Sequence, residues 1–444
     1  MRLKDYLGVL KVSEWKISDL NEWDDKIISL AKTYDLDWYP INYEICDYYE
    51  MIGHMSYHGL PSHYPHWSYG KSFERTHQMY NMGVEGLPYE LIINSDPSIA
   101  YLMRENPFYL QVLIMCHCVG HSDFFKNNNI FKNTRPASVT ARFRNARNRI
   151  QGYIEDPSIG IKKVEKILDA AHAIKFHVDP YDQRLTHHEM KKVYQEKILN
   201  DNTDKYDDFD INKIPIEDDY DILAFIHEHG AHLSEWEKDL INIVREESLY
   251  FIPQMRTKIM NEGWASFWHY KLMNELDLPQ SMHIPFLKSH NQVIRPHLGG
   301  INPYHLGFYL FSKLEKEQGL DECFFAREVF HDETMLRQYL TQDDCLDLNL
   351  FSYSLKKKNF TVDEISDDDG WKIVREDLIK NIGINSIPRI AISDLQSGVL
   401  ILIHEHDGRD LELSFAEEVV RHISSLWEGA VKLITIIEDE PWEI

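Results

Sequence analysis

Apolar residues recur every three to four positions from residue 14 to residue 34, which predicts an amphipathic helix, and the LDWYPINYEI that follows reads as extended. From Gly53 to Gln78 the periodicity gives way to a stretch dense in His, Tyr, Gly and Pro, read as a structured loop, either a lid or a pocket wall. PYELIINSD, residues 88–96, predicts a strand closed by a Ser-Asp-Pro turn. Leu110 to His121 is apolar on every side of a helical wheel apart from two histidines, the pattern of a buried helix.

Further along, IGIKKVEKILDAAHAIKFH, SEWEKDLINIVREESLYFIPQM and KIMNEGWASFWHYKLMNEL predict helices, the second stopping near Pro253, and GGINPYHLGFYLFSKLEKE leads into another. Between the first two lies the acidic stretch from Asn200 to Asp221, read as a surface insertion or linker. After residue 330 the texture changes. LDLNLFSYSLKKKNFTVDEIS, PRIAISD, GVLILIHEHD, DLELSF and VKLITIIED read as strands, with a helix at AEEVVRHISSLWEGA. The expected fold is α+β and mainly α, with a helical domain over 1–330 and a small α+β domain over 331–444.

Composition narrows the possibilities. Of the 444 residues 43% are apolar and 12% aromatic, enough for a large packed interior. No run of 18 apolar residues occurs and the start lacks the pattern of a secretory signal, so a cytoplasmic protein without a transmembrane segment is expected. Five cysteines without a CxxC pair fit that compartment. A net charge of −25 argues against binding nucleic acid, and the arginines of TARFRNARNRI read as a solvated or ion-paired helix face.

The chemistry centres on MCHCVGHSDFF. His117 and His121 lie one helical turn apart on one face, the spacing that lets two imidazoles grip one divalent ion. Two buried histidines bonded to neighbouring polar groups is the simpler alternative, but an all-apolar helix offers few such partners. Glu262 of MNEGWASFWH is the expected third ligand, on a helix whose Gly263 and Ala265 allow close approach to another. Two histidines on one helix and a glutamate on a second form the ligand set of thermolysin-like zinc peptidases, so zinc in a zincin-like helical domain is the expected cofactor.

One element of that set is absent. In HExxH enzymes the residue after the first histidine is a glutamate that deprotonates water, but here it is Cys118, pointing about 100° around the helix from His117. Glu247, central in the stripe of Leu240, Ile243, Val244 and Phe251, is a candidate base or a structural ion-pair partner. His269, seven residues after Glu262, is a second proton carrier or a fourth ligand. Tyr304 and His305 of NPYHLG are candidate oxyanion donors, or serve only to start a helix. Glu155, Glu165, Asp169 and His172 form a possible second carboxylate and histidine cluster, and HEHGAH, residues 227–232, is read as surface.

YPINYEI, HWSYGKSFER, YELIINSDPS, HCVGHSDFFKNN, VEKILDAAHA, IVREESLYFIPQMRTKIMNEGWASFWH and INPYHLGF together resemble the stage V sporulation protein R (SpoVR) family, over nearly the whole chain. The resemblance implies a cytoplasmic bacterial protein associated with sporulation, in particular formation of the spore cortex. It implies as partners a PrkA-type serine kinase and a YeaH-type protein, beside which members are often encoded. The family pattern shares the histidines that match His117 and His121 and the glutamate that matches Glu262, and it too lacks the HExxH glutamate.

Three expectations result. The first is a zincin-like, metal-dependent hydrolase of an amide or peptide bond, with His117, His121 and Glu262 on zinc and Glu247, His269 and Tyr304 as catalytic candidates. The second is a non-catalytic, metal-stabilised scaffold or regulatory partner in a kinase-linked assembly. The third is a two-metal site that adds Glu155, Glu165, Asp169 and His172. No sequence feature sets the oligomeric state.

Overall fold

The computed structural model describes residues 15–82, 90–179, 220–297, 300–356, 359–396 and 398–444. Residues 200–219 of the acidic stretch therefore lie outside the described residues. The protein is mainly helical with small sheets. Its packing divides it into two units, Met1–Glu155 with Pro253–Ser386, and Asp156–Ile252 with Ile387–Ile444. The change of texture at residue 330 does not coincide with that division. Residues 331–386 pack with the first unit because domain membership follows which apolar faces meet, not where strands begin.

The first unit opens with α1 (Ile17–Thr33), which buries Leu20, Trp23, Ile27 and Ala31 on one stripe as the periodicity predicts. A three-stranded sheet follows in the order β1 (Ile41–Cys46), β3 (Ser98–Met103), β2 (Glu90–Ile93). β1 and β3 are parallel, and β2 is antiparallel to β3 with Glu90 opposite Leu102. The stretch read as a long loop is mostly helical instead, Tyr48–Ser56 and Trp67–Asn81. Asp47 caps the first of these by accepting from Glu50 N, and Tyr69 on the second meets His63 edge-on and Tyr57 at a tilt.

α2 (Phe108–Asn127) leaves β3 almost directly and is buried from Leu110 to Phe125, as its all-apolar wheel predicts. The Gln111 side chain donates to Met103 O (2.9 Å), and Ser122 donates to Tyr39 O (3.1 Å) beside Ser98. These bonds fix the helix against the sheet. α3 (Lys258–Glu275), α4 (Gln280–Val293) and α5 (Pro303–Gln318) complete this core, with α3 packed most extensively on α5 and α2. α5 starts at Pro303 after the Asn302 cap. The hairpin of β4 (Phe351–Lys356) and β5 (Asn359–Ile365) with the helix Trp371–Lys380 belongs to the same unit.

Glycines set how near these helices come. A Cβ on Gly120 of α2 would lie 2.7 Å from Ala265 Cα of α3, and one on Gly263 would lie 2.4 Å from Gly307 Cα of α5. The small residues of NEGWAS thus do what their size predicts. Asp123 anchors the same interface, accepting from Trp264 Nε1 (2.8 Å) and Asp37 N (2.9 Å) with the Arg327 guanidinium at 3.6 Å.

The second unit holds a sheet in the order β6 (Ile390–Gln396), β7 (Val399–His404), β8 (Val431–Ile437), β9 (Glu440–Glu443). The parallel strands β7 and β8 are linked by the helix Leu413–Trp427, which packs on β8 and on the helix Ile161–Ala173. DLELSF is not a strand. Glu412 accepts from Phe415 N and starts that helix at Leu413. The helix Glu235–Arg256 runs through Pro253 rather than stopping before it. Proline removes one donor near the helix end, and the Thr257 hydroxyl donates to Pro253 O (2.7 Å).

Candidate metal centre

α2 and α3 bring His117, His121 and Glu262 together, all buried. His121 Nε2 lies 3.3 Å and His117 Nε2 3.7 Å from Glu262 Oε2. A fourth group, not anticipated from the sequence, joins them. Glu90, the first residue of β2, places Oε1 3.6 Å from His117 Nε2. Glu90, His117 and His121 offer ligand atoms all within 4.8 Å of one another, a group that does not itself include Glu262, whose Oε2 faces the same two imidazoles.

These separations have a simple meaning. Ligand atoms bonded at about 2.0–2.2 Å to a tetrahedral ion stand roughly 3.3–3.6 Å from each other. Of the three gaps, those of 3.3 and 3.6 Å fall in that range and that of 3.7 Å lies just beyond it, longer than good hydrogen bonds and close to what a shared cation needs. His117 Nε2 and Glu262 Oε2 are buried without any hydrogen-bond partner, and both belong to this cluster. Two orphaned polar atoms in a core are costly, and one divalent ion satisfies both. The donor set fits zinc in chemistry as in spacing.

The outer contacts orient the inner ones. Asn261 Oδ1 lies 2.8 Å from His121 Nδ1 and can only accept, so that nitrogen carries the proton and Nε2 keeps its lone pair. Lys258 Nζ donates to Glu262 Oε1 at 2.5 Å, leaving Oε2 for the cluster. Burial opposes ionisation of Glu262, but the charges of Lys258 and His121 outweigh it and hold the carboxyl well below its ordinary range. Burial likewise disfavours charge on His121, yet the Glu262 carboxylate raises it on balance.

The other anticipated residues divide. His269 is fully buried but stands behind His117, Nδ1 to Nδ1 at 2.9 Å, so its position is that of a supporting group and not of a fourth ligand. Its far nitrogen, Nε2, meets His290 Nδ1 at 2.8 Å. Burial first and neighbouring imidazoles second hold His269 well below its ordinary value, and burial lowers His290 to about 4, so both are neutral. Tyr304 lies at the cluster, its ring stacked over His117 at 6.2 Å. Burial, then the charges of Glu262 and Glu90, hold its phenol well above the ordinary value, so it keeps its proton.

Glu247 is buried as the apolar stripe implied, but it belongs to the second unit, whereas the cluster belongs to the first. Cys118 is fully buried, with burial followed by the charge of Glu90 raising its thiol well above the usual range, and it is not among the residues whose ligand atoms converge. Glu165, Asp169 and His172 share the helix Ile161–Ala173 in the second unit and form no metal-binding group among the described residues, while Glu155 accepts from Gln151 on an exposed helix end. His229 and His232 of HEHGAH are exposed. Among the described residues no helix is long and apolar enough to cross a membrane.

The family described as SpoVR like protein matches residues 14–387. The uncharacterized protein YcgB of Escherichia coli (strain K12) is 30% identical to this chain, over 99% of this chain and 96% of its own length. No solved structure matches.

Proposed function

Starting from a chain that belongs to the SpoVR-like family and whose first unit gathers two histidines and two glutamates, we propose a zincin-like, metal-dependent hydrolase of amide or peptide bonds. The observation that carries the reading is the pair of orphaned atoms, His117 Nε2 and Glu262 Oε2, in a cluster whose spacing suits a tetrahedral ion. His117, His121 and Glu262 would hold zinc, which supplies Lewis acidity toward a carbonyl oxygen and lowers the pKa of water. Glu90 takes the place of the HExxH glutamate: its carboxylate removes a proton from the attacking water and passes it to the leaving nitrogen. The Tyr304 hydroxyl donates to the oxygen on which negative charge develops. At the level of cell biology the family points to sporulation and cortex formation, with a cytoplasmic location and a PrkA-type kinase and a YeaH-type protein as associates.

A second reading rests on the same glutamate. If Glu90 is a fourth ligand, the shell is closed and the ion stabilises a non-catalytic scaffold. Glu90→Gln and His117→Ala separate the readings when zinc content and hydrolysis of a peptide library are measured together. The hydrolase reading expects one zinc per wild-type chain, lost in His117→Ala, with zinc kept but turnover abolished in Glu90→Gln. Zinc lost in Glu90→Gln, with no hydrolysis by the wild type, overturns it in favour of the scaffold. A wild-type chain that binds no zinc overturns both.

A further inference from the structure

Of the charged groups at the cluster, the one most open to solvent is a cation. The side chains of His117, His121 and Glu262 are at most 8% exposed, whereas Glu90 is 15% and Lys258 55% exposed. Lys258 begins α3, one turn before Glu262, and its Nζ donates to Glu262 Oε1 at 2.5 Å. The other oxygen of that carboxylate faces the two imidazoles. Ammonium and imidazoles therefore stand on opposite sides of a single carboxylate. Tyr304 spans the same interval from α5, its ring centre 5.9 Å from Lys258 Nζ and 6.2 Å from the His117 ring.

The bond to Glu262 leaves much of this ammonium unused. It carries three protons, and among the described residues Glu262 is its one hydrogen-bond partner. Glu90, the other carboxylate with some exposure, is turned to His117. The start of α3 offers no competing anion site, because Asp332 already accepts from Ile259 N and Met260 N at 2.9 Å each. A neutral amide would serve to orient Glu262. A half-exposed ammonium beside a reaction centre does more, because it attracts an anion and fixes it by a charge-assisted hydrogen bond.

We infer that Lys258 is a specificity-determining residue that pairs with a free carboxylate near the scissile amide, so that acidic peptides are the substrate class. The carboxylate belongs either to the chain terminus or to an Asp or Glu side chain. This selection presupposes the hydrolase reading and deepens it. Since only the width of the Glu262 carboxylate separates Nζ from the ligand atoms, the recognised group lies within about two residues of the bond cleaved. An uncharged analogue forfeits that charge-assisted bond and with it about tenfold in affinity at a half-exposed site.

The test uses the full zinc-loaded chain and a series of hydroxamate probes, the monohydroxamic acids of malonic, succinic and glutaric acid, each beside its counterpart with the free carboxylate converted to a primary amide. Calorimetry should show at least one acid bound about tenfold more tightly than its amide by the wild type. Lys258→Gln should bring that ratio to within about twofold, and Lys258→Arg should keep it. Each ratio compares two probes on one protein at saturating zinc, so a variant that merely loosens Glu262 does not move it. Hydrolysis of a peptide library made as free acids and as terminal amides, and with Asp or Glu exchanged for Asn or Gln, tells which source of carboxylate is read. Equal binding of acid and amide at every length by the wild type, or a preference that survives in Lys258→Gln, overturns the role of Lys258 and leaves the hydrolase reading standing. A zinc-loaded wild type that hydrolyses no peptide overturns the hydrolase reading, whatever the probes show.

Discussion

A single methyl group at the contact between α2 and α3 should disturb both the core and the centre. In Gly120→Ala the new Cβ would lie 2.7 Å from Ala265 Cα, backbone of a neighbouring helix that cannot rotate aside. Carbon atoms settle at about 3.5–4.0 Å, so the helices must separate locally by roughly 1 Å. His121, the next residue, stands 3.3 Å from Glu262 on α3, and widening that gap carries it beyond the roughly 3.3–3.6 Å that two ligands of one tetrahedral ion can span. Overpacking of this kind costs about 1–3 kcal/mol, against a helix-propensity gain of about 1 kcal/mol for replacing glycine by alanine. The expected outcome is a net loss of up to about 2 kcal/mol in urea unfolding of the metal-free protein and a fall of at least about tenfold in zinc affinity by chelator competition. Gly152→Ala is the internal control. Its Cβ meets nothing within 4 Å, so it should gain about 0.5–1 kcal/mol and leave zinc binding alone. If Gly120→Ala is as stable as the wild type and binds zinc equally well, the close approach of the two helices does not position the ligands.

Other consequences are equally open to measurement. Asp123→Ala removes the acceptor for Trp264 and Asp37 and leaves the Arg327 charge buried, so urea unfolding should show a loss of about 3–5 kcal/mol. Tyr304→Phe should lower peptide hydrolysis by about a hundredfold while the chain still takes up one zinc, because it removes a donor to the developing charge and leaves all three ligands in place. His331, which accepts from Arg256 Nη2 at 3.1 Å, is held at about 4, first by burial and then by that positive charge. A folded value below the unfolded 6.5 means that the unfolded chain binds the proton more readily, so stability contributed by the neutral ring is present above pH 6.5 and is lost as pH falls toward 4. The loss between pH 7 and pH 5 is about 2 kcal/mol from this group. His331→Gln should flatten that part of the stability profile, and an unchanged slope contradicts the assignment.

The elements most legible in the sequence were those whose side chains alone dictate their surroundings. The all-apolar face around His117 and His121 left no environment for α2 but the core, and the small residues after Glu262 marked a helix made for close contact. Glu90 was not legible because its role depends on strand pairing. Only when β2 lies antiparallel to β3, beside α2, does the head of an otherwise apolar ELII strand meet an imidazole that is distant in sequence. A carboxylate leading such a strand was the available signal. His290 escaped notice for the same reason, since SHNQV gives no hint that its ring backs a second histidine on α3. The aromatic stretch after Gly53 looked like a loop because glycine and proline dominate its appearance, whereas the Asp47 and His66 caps start helices on either side of a short irregular piece. Domain limits were the least legible, since the chain leaves the first unit after Glu155 and returns at Pro253, a path that local texture does not record.

The most direct test of the account is a crystal structure of the zinc-loaded protein with anomalous data collected on both sides of the zinc edge. The account predicts one anomalous peak per chain, about 2.0–2.2 Å from His117 Nε2, His121 Nε2 and a Glu262 oxygen. A peak elsewhere, or none beside these three side chains in a crystal grown with saturating zinc, contradicts it.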